Sequence, residues 1–192
     1  MKKGLVGCLV VLGGLLLLAV IFGSGLMRAY NGLVTERESV DKSWAQVENV
    51  LQRRGDLIPN LVETVKGYAS HEKEVFEKVA DARGRLAGAT TPQEATAANA
   101  GLTSALGRLL AISENYPELK ANENFNKLHD ELVSTENKIA FSRQFYNDSV
   151  NSYNTRRQSF PAVLAAASLG FGPMELFNMP ETEREVPKVA LR

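Results

Sequence analysis

From Gly4 to Met27 the chain runs for 24 residues without a charged side chain, reading GLVGCLVVLGGLLLLAVIFGSGLM. A helix rising about 1.5 Å per residue carries such a run through roughly 36 Å, enough to cross a hydrocarbon layer of about 30 Å with some tilt. The run is longer than the apolar core of a cleavable signal, about 7–15 residues, and lacks a clear A-x-A ending, so it reads as an uncleaved anchor. Leu5-Val6-Gly7-Cys8 matches the local pattern of a lipoprotein cleavage site. There the apolar stretch must precede the cysteine, whereas here it follows, and Cys8 reads as a small residue near one end of the span.

About 165 residues remain after the anchor, a size suited to one domain. Beyond Lys2 and Lys3 the chain holds 20 basic and 22 acidic residues, which excludes a general nucleic-acid binder with its basic stripe. Cys8 is the only cysteine, so disulfides and cysteine-based metal sites in the domain are excluded as well. Lys2 and Lys3 abut the apolar run, while Arg28, Arg37 and Lys42 are spread among Glu36, Glu38 and Asp41. Since basic residues close to a span set its orientation, the N-terminus is expected in the cytoplasm and the domain outside.

Beyond residue 30 apolar residues recur at helical spacing. Leu26, Leu33, Val40 and Val47 stand seven apart, with Tyr30, Trp44, Leu51 and Ile58 on the companion positions. Pro59 predicts a corner over 54–58 and a new helix over 59–87, because proline disfavours helical geometry in the residue before it. Pro92 suits the first turn of a third helix carrying Leu102, Leu106, Leu109 and Ile112, which Pro117 closes. Phe125, Leu132, Ile139, Tyr146 and Tyr153 hold one face of a fourth helix, with Leu128, Thr135, Ser142 and Ser149 beside them. Residues 162–169 predict one short helix. The expected organisation is an all-α protein: a membrane anchor over 1–28, a long antiparallel four-helix bundle over 29–169, and an extended tail over 170–192.

Catalytic constellations are missing from the sequence. His71-Glu72 begins like a zinc-protease motif, but position 75 is Val, and no cofactor is expected. Polar residues beside the apolar stripes are the candidate site: Arg53, Asp56 and Asn60 at helical spacing across Pro59, and Glu136, Arg143, Asn147 and Asn154 along one side of the fourth helix. They read either as a partner site or as a network that fixes helix register, with Arg53 or Arg143 paired to Asp56 or Glu136, since buried polar groups are costly unless paired.

The same residues carry a resemblance. Tyr30-Asn31-Gly32-Leu33-Val34, Gln52-Arg53-Arg54-Gly55-Asp56-Leu57-Ile58-Pro59-Asn60-Leu61-Val62, Val65-Lys66-Gly67-Tyr68, His71-Glu72, Tyr116-Pro117-Glu118-Leu119-Lys120, Phe145-Tyr146-Asn147, Tyr153-Asn154 and Phe160-Pro161 follow in the order found in the bacterial LemA family. The chain resembles that family from about Tyr30 onward, with Arg157 standing where its pattern has an apolar residue. The resemblance implies one N-terminal anchor in the bacterial inner membrane, a four-helix bundle and no established reaction. Envelope proteases and TPM-domain proteins are the partners it implies by association, and one branch of the family belongs to magnetosome membranes. Two functions remain: a non-enzymatic scaffold or adaptor for protein partners or for a second copy, and a small-molecule or lipid binder with a pocket near Arg53, Asp56 and Tyr116-Pro117.

Overall fold

The computed structural model describes residues 2–166 and 169–177, with side chains from Leu12 onward except that of residue 165. All elements among the described residues are helical: α1 (Lys2–Lys66), α2 (Lys73–Ala87), α3 (Pro92–Ser113), α4 (Pro117–Lys120), α5 (Glu123–Gln158) and α6 (Val163–Ala166). The chain divides into two compact units. One comprises residues up to 41 together with 149–174, and the other comprises 42–148 with the residues from 175. The expected tail is described only as far as Phe177, and the rest of it lies outside the described residues, as does the end of the short helix expected over 162–169.

The anchor is helical, and Leu12, Leu15, Leu16, Leu17, Leu18, Val20, Ile21 and Phe22 all stand uncovered. This is a helix long and apolar enough to cross a membrane. Further along α1 the pattern reverses. Leu33 and Val40 are buried in the first unit, and Val47, Leu51, Ile58, Leu61 and Val65 in the second. Trp44, on the same face, is only half buried and donates its indole N–H to Glu48 Oε1 at 2.7 Å.

The corner expected at 54–58 does not exist: α1 continues through Pro59 to Lys66. Proline at 59 has no N–H for the carbonyl four residues back, which belongs to Gly55. That carbonyl accepts instead from Arg83 Nε of α2 at 2.8 Å. A partner 28 positions away thus supplies the hydrogen bond that proline removes. The break falls later, at Gly67–Glu72, where Tyr68 and Ala69 both donate to the carbonyl of Val65 and Ala69 is fully buried.

In the second unit α2 packs on α3, and α3 opens with a capping box: Thr91 Oγ1 accepts from Glu94 N at 3.2 Å, and Glu94 Oε2 accepts from Thr91 N at 3.3 Å. The backbone and hydroxyl of Thr90 also donate to Glu94 and hold its carboxyl below the ordinary glutamate range. Pro117 opens α4 rather than simply closing α3, and Asn122 Oδ1 caps α5 by accepting from Phe125 N at 3.0 Å. Along α5 the column Phe125, Leu132, Ile139, Tyr146, Tyr153 is buried throughout. Thr135, Ser142 and Ser149 beside it are buried too, and Thr135 and Ser142 return their hydroxyls to the carbonyls of Glu131 and Lys138. Ile139→Ala removes a fully buried side chain and should cost about 2–5 kcal/mol. Denaturant unfolding of the full chain in micelles reads that loss, and an unchanged midpoint would contradict the packed column.

Candidate functional site

The polar residues singled out by spacing fall into three separate places. Arg53, Asp56 and Asn60 lie on exposed positions of α1. Asp56 lines a cleft of about 480 Å³ with Trp44, Glu48, Leu51 and Arg83, and neither Arg53 nor Tyr116 nor Pro117 belongs to its wall. The arginine that is buried is the neighbour, Arg54. Its Nη1 donates to Asn99 Oδ1 of α3 at 2.6 Å and its Nη2 donates to Thr103 Oγ1 at 3.1 Å. Glu136 Oε2 of α5 stands 2.8 Å from Nη1, a close ion contact without hydrogen-bond alignment, and Nε is left without a partner.

Burial pulls the Arg54 guanidinium below the ordinary arginine range, and the Glu136 carboxylate offsets part of that. The pair is asymmetric, with 6% of the Arg54 side chain exposed against 46% of Glu136. Arg54, Asn99 and Thr103 escape the sequence reading, although a signal existed. Arg54 stands seven beyond Val47 and seven before Leu61, squarely in the buried series, and Asn99 stands seven before the buried Leu106.

The asparagines of α5 do something else: they bind backbone of the segment after Gly170. In the first unit Asn154 closes a two-bond ring on Met174, with Nδ2 donating to Met174 O at 2.9 Å and Met174 N donating to Oδ1 at 3.1 Å. Next to it Tyr153 donates its hydroxyl to Gly172 O at 2.8 Å, and burial pushes that phenol upward, so it stays a donor. The second unit repeats the device. Asn147 pairs with both backbone groups of Phe177, at 3.2 and 2.8 Å, and Tyr146 donates to Glu175 O at 2.8 Å.

Each Tyr-Asn pair thus holds a short piece of backbone of its own unit, Gly172 and Met174 in the first and Glu175 and Phe177 in the second. Phe177 itself is buried, its ring 6.1 Å from Trp44 and 4.8 Å from the Arg143 guanidinium, a cation–π distance. Arg143 therefore serves the second asparagine's occupant, and Glu136 serves Arg54.

A shallow, open groove of about 590 Å³ lies elsewhere in the second unit, between Gln46, Asn49 and Val50 of α1 and Ser134, Asn137, Lys138 and Phe141 of α5. Phe141 stands at its edge with 73% of its surface in solvent. A larger cleft of about 750 Å³ follows α2 and α3, walled by alanine and glycine with Asp81, Arg85 and Arg108 around it. Among the described residues no group of three or more His, Cys, Asp or Glu side chains is placed to hold a metal ion. His129 is stacked on Phe125, with ring centroids 6.3 Å apart.

Two outcomes follow from this geometry. Glu136→Ala strands a buried cation and should cost about 1–3 kcal/mol, below the loss for a fully buried pair because Glu136 is half in water. Arg54→Met in the Glu136→Ala background should restore most of that loss in a thermal melt. Asn147→Ala should raise hydrogen exchange at the Phe177 amide while amides of α2 and α3 keep their protection; equal loss in all three would argue that the asparagine supports the whole unit.

The model of the LemA family matches residues 43–191. Magnetosome protein MamQ of Magnetospirillum gryphiswaldense is 29% identical over 185 residues, which cover 83% of this chain and 68% of that protein. Magnetosome protein MamQ 2 of Paramagnetospirillum magneticum is 28% identical, covering 92% of this chain and 74% of that protein. Protein LemA of Metamycoplasma hominis is 23% identical, covering 80% and 71%. With the matched region taking in Arg54, Glu136 and both Tyr-Asn pairs, this chain belongs to the LemA family.

Proposed function

We propose that this protein is a non-enzymatic scaffold of the bacterial envelope, tethered to the inner membrane by its N-terminal helix and presenting its helical surface to protein partners. Phe141 carries the reading. A phenylalanine left mostly in water beside a groove gains from burial against a partner. Val133 is half exposed on the same face of α5, two helical turns away, which extends the apolar strip.

The polar residues support the same view. Arg54 donates to Asn99 and Thr103 and pairs its charge with Glu136, and Asn147 and Asn154 donate to the chain's own backbone, which suits architecture better than a ligand pocket. Lys2 and Lys3 beside the anchor support an orientation with the N-terminus in the cytoplasm and the domain outside.

The test is proximity crosslinking in native membranes from a photoreactive residue at Asn49, in the groove, with and without Phe141→Asp. A discrete protein adduct lost in the variant, at unchanged melting temperature, is the expected result. A small molecule retained by the purified chain, with no protein adduct, would replace this reading with that of a ligand binder.

A further inference from the structure

The turn after α5 has its apolar residues inside out. In the first unit, Ala162, Ala166 and Phe171 are buried. Phe160, Val163, Leu164 and Leu169 point outward, with Phe160 74% and Leu164 59% exposed. A surface shaped by water alone buries bulky apolar side chains and does not gather four of them in one exposed patch. Here the opposite choice is made within twelve residues, on a segment pinned from within: Phe171 meets the Tyr30 ring edge-on at 5.6 Å, and its amide donates to Ala166 O at 2.9 Å. The outward residues are therefore held outward.

Their position says what covers them. Ser159, Phe160, Pro161 and Ala162 share a cleft of about 430 Å³ with Gly25, Arg28 and Ala29 of α1. Gly25 lies in the last turn of the uncharged run, and Arg28 is the first charge after it. A run of roughly 36 Å outlasts a hydrocarbon layer of about 30 Å, so its Met27 end emerges at the headgroup level. Phe160 and α6 stand at that same level. The charges agree in part: residues 149–174 contain Arg156 and Arg157 and no acid, Arg156 pairs with Glu36 of α1 at 3.4 Å, and Arg157 and Arg28 remain as cations of this region. Apolar side chains with cations beside them suit the headgroup–acyl boundary of an anionic leaflet.

We propose that Phe160, Val163, Leu164 and Leu169 form a second membrane contact, dipping into the leaflet from which α1 emerges. The occupant of this apolar face is lipid, continuous with the lipid around the anchor. The inference does not depend on the scaffold reading, since it concerns a different face and a different partner.

The experiment uses the full chain in a Cys8→Ser background, reconstituted in phosphatidylcholine–phosphatidylglycerol vesicles, with one nitroxide label per sample. Labels go at Leu164→Cys and Val163→Cys. Leu16→Cys marks the acyl interior and Phe141→Cys marks an exposed apolar site on the other unit. Collision with oxygen, which concentrates in acyl chains, is compared with collision with a water-soluble nickel chelate. The expected result is an oxygen preference at Leu164 and Val163 that is several-fold that at Phe141 and approaches that at Leu16. Labels as open to nickel as Phe141 would overturn the proposal. Labels shielded from both reagents would overturn it too, since protein would then be the cover.

Discussion

One helix has to satisfy two solvents. From Leu12 to Phe22 α1 turns apolar side chains outward in every direction, which only hydrocarbon rewards; from Leu33 onward it turns them to one side, which water rewards. Each regime dictates what else the chain must supply. In the first, uncovered leucine, valine and phenylalanine require a bilayer and nothing from the rest of the sequence. In the second, the seven-residue series needs helices with matching faces, and α2, α3 and α5 are long enough to provide them. No charged residue interrupts the first regime, whereas the second tolerates Arg54 in the middle of its buried series because Asn99, Thr103 and Glu136 come to meet it.

Arg54 is a costly choice at that position. A guanidinium loses strong hydration on burial, and an ion pair rarely returns more than it gives up. What the residue offers is direction. Its fork must find α3 and α5 at fixed positions, so a one-turn slip of either helix strands the charge. Methionine would fill the same volume without telling one register from another. Glu136, half in water, lessens the penalty of keeping the cation and leaves Asn99 and Thr103 to set the geometry.

Much of the architecture was legible because it depends on local periodicity. The anchor, the column from Phe125 to Tyr153 and the start of α3 at Pro92 can each be read within a few turns of sequence. What was misread depends on partners far along the chain. Pro59 looked like a corner because the bond that keeps α1 straight comes from Arg83 on another helix. Arg54 was legible in principle, since Val40, Val47 and Leu61 mark its place, but a charge in an apolar series invites the reading that the series has ended. Asn147 and Asn154 were found as polar residues at heptad spacing, while their role was hidden, because a side chain that binds backbone leaves no complementary residue type to look for.

The same property has a consequence for how the segment after Gly170 can change over generations. Asn147 and Asn154 contact the amide and carbonyl of Phe177 and Met174, groups that nearly every residue type possesses. Proline at either place would remove the amide, yet Pro173 sits at the neighbouring position where no amide is used. The helix therefore reads spacing and leaves spelling free. Met174, Glu175 and Leu176 can drift among residue types while the bonds persist, but a residue inserted between Gly172 and Met174, or between Glu175 and Phe177, puts that Tyr-Asn pair out of step with its backbone. Length, rather than composition, is what these bonds constrain in this stretch.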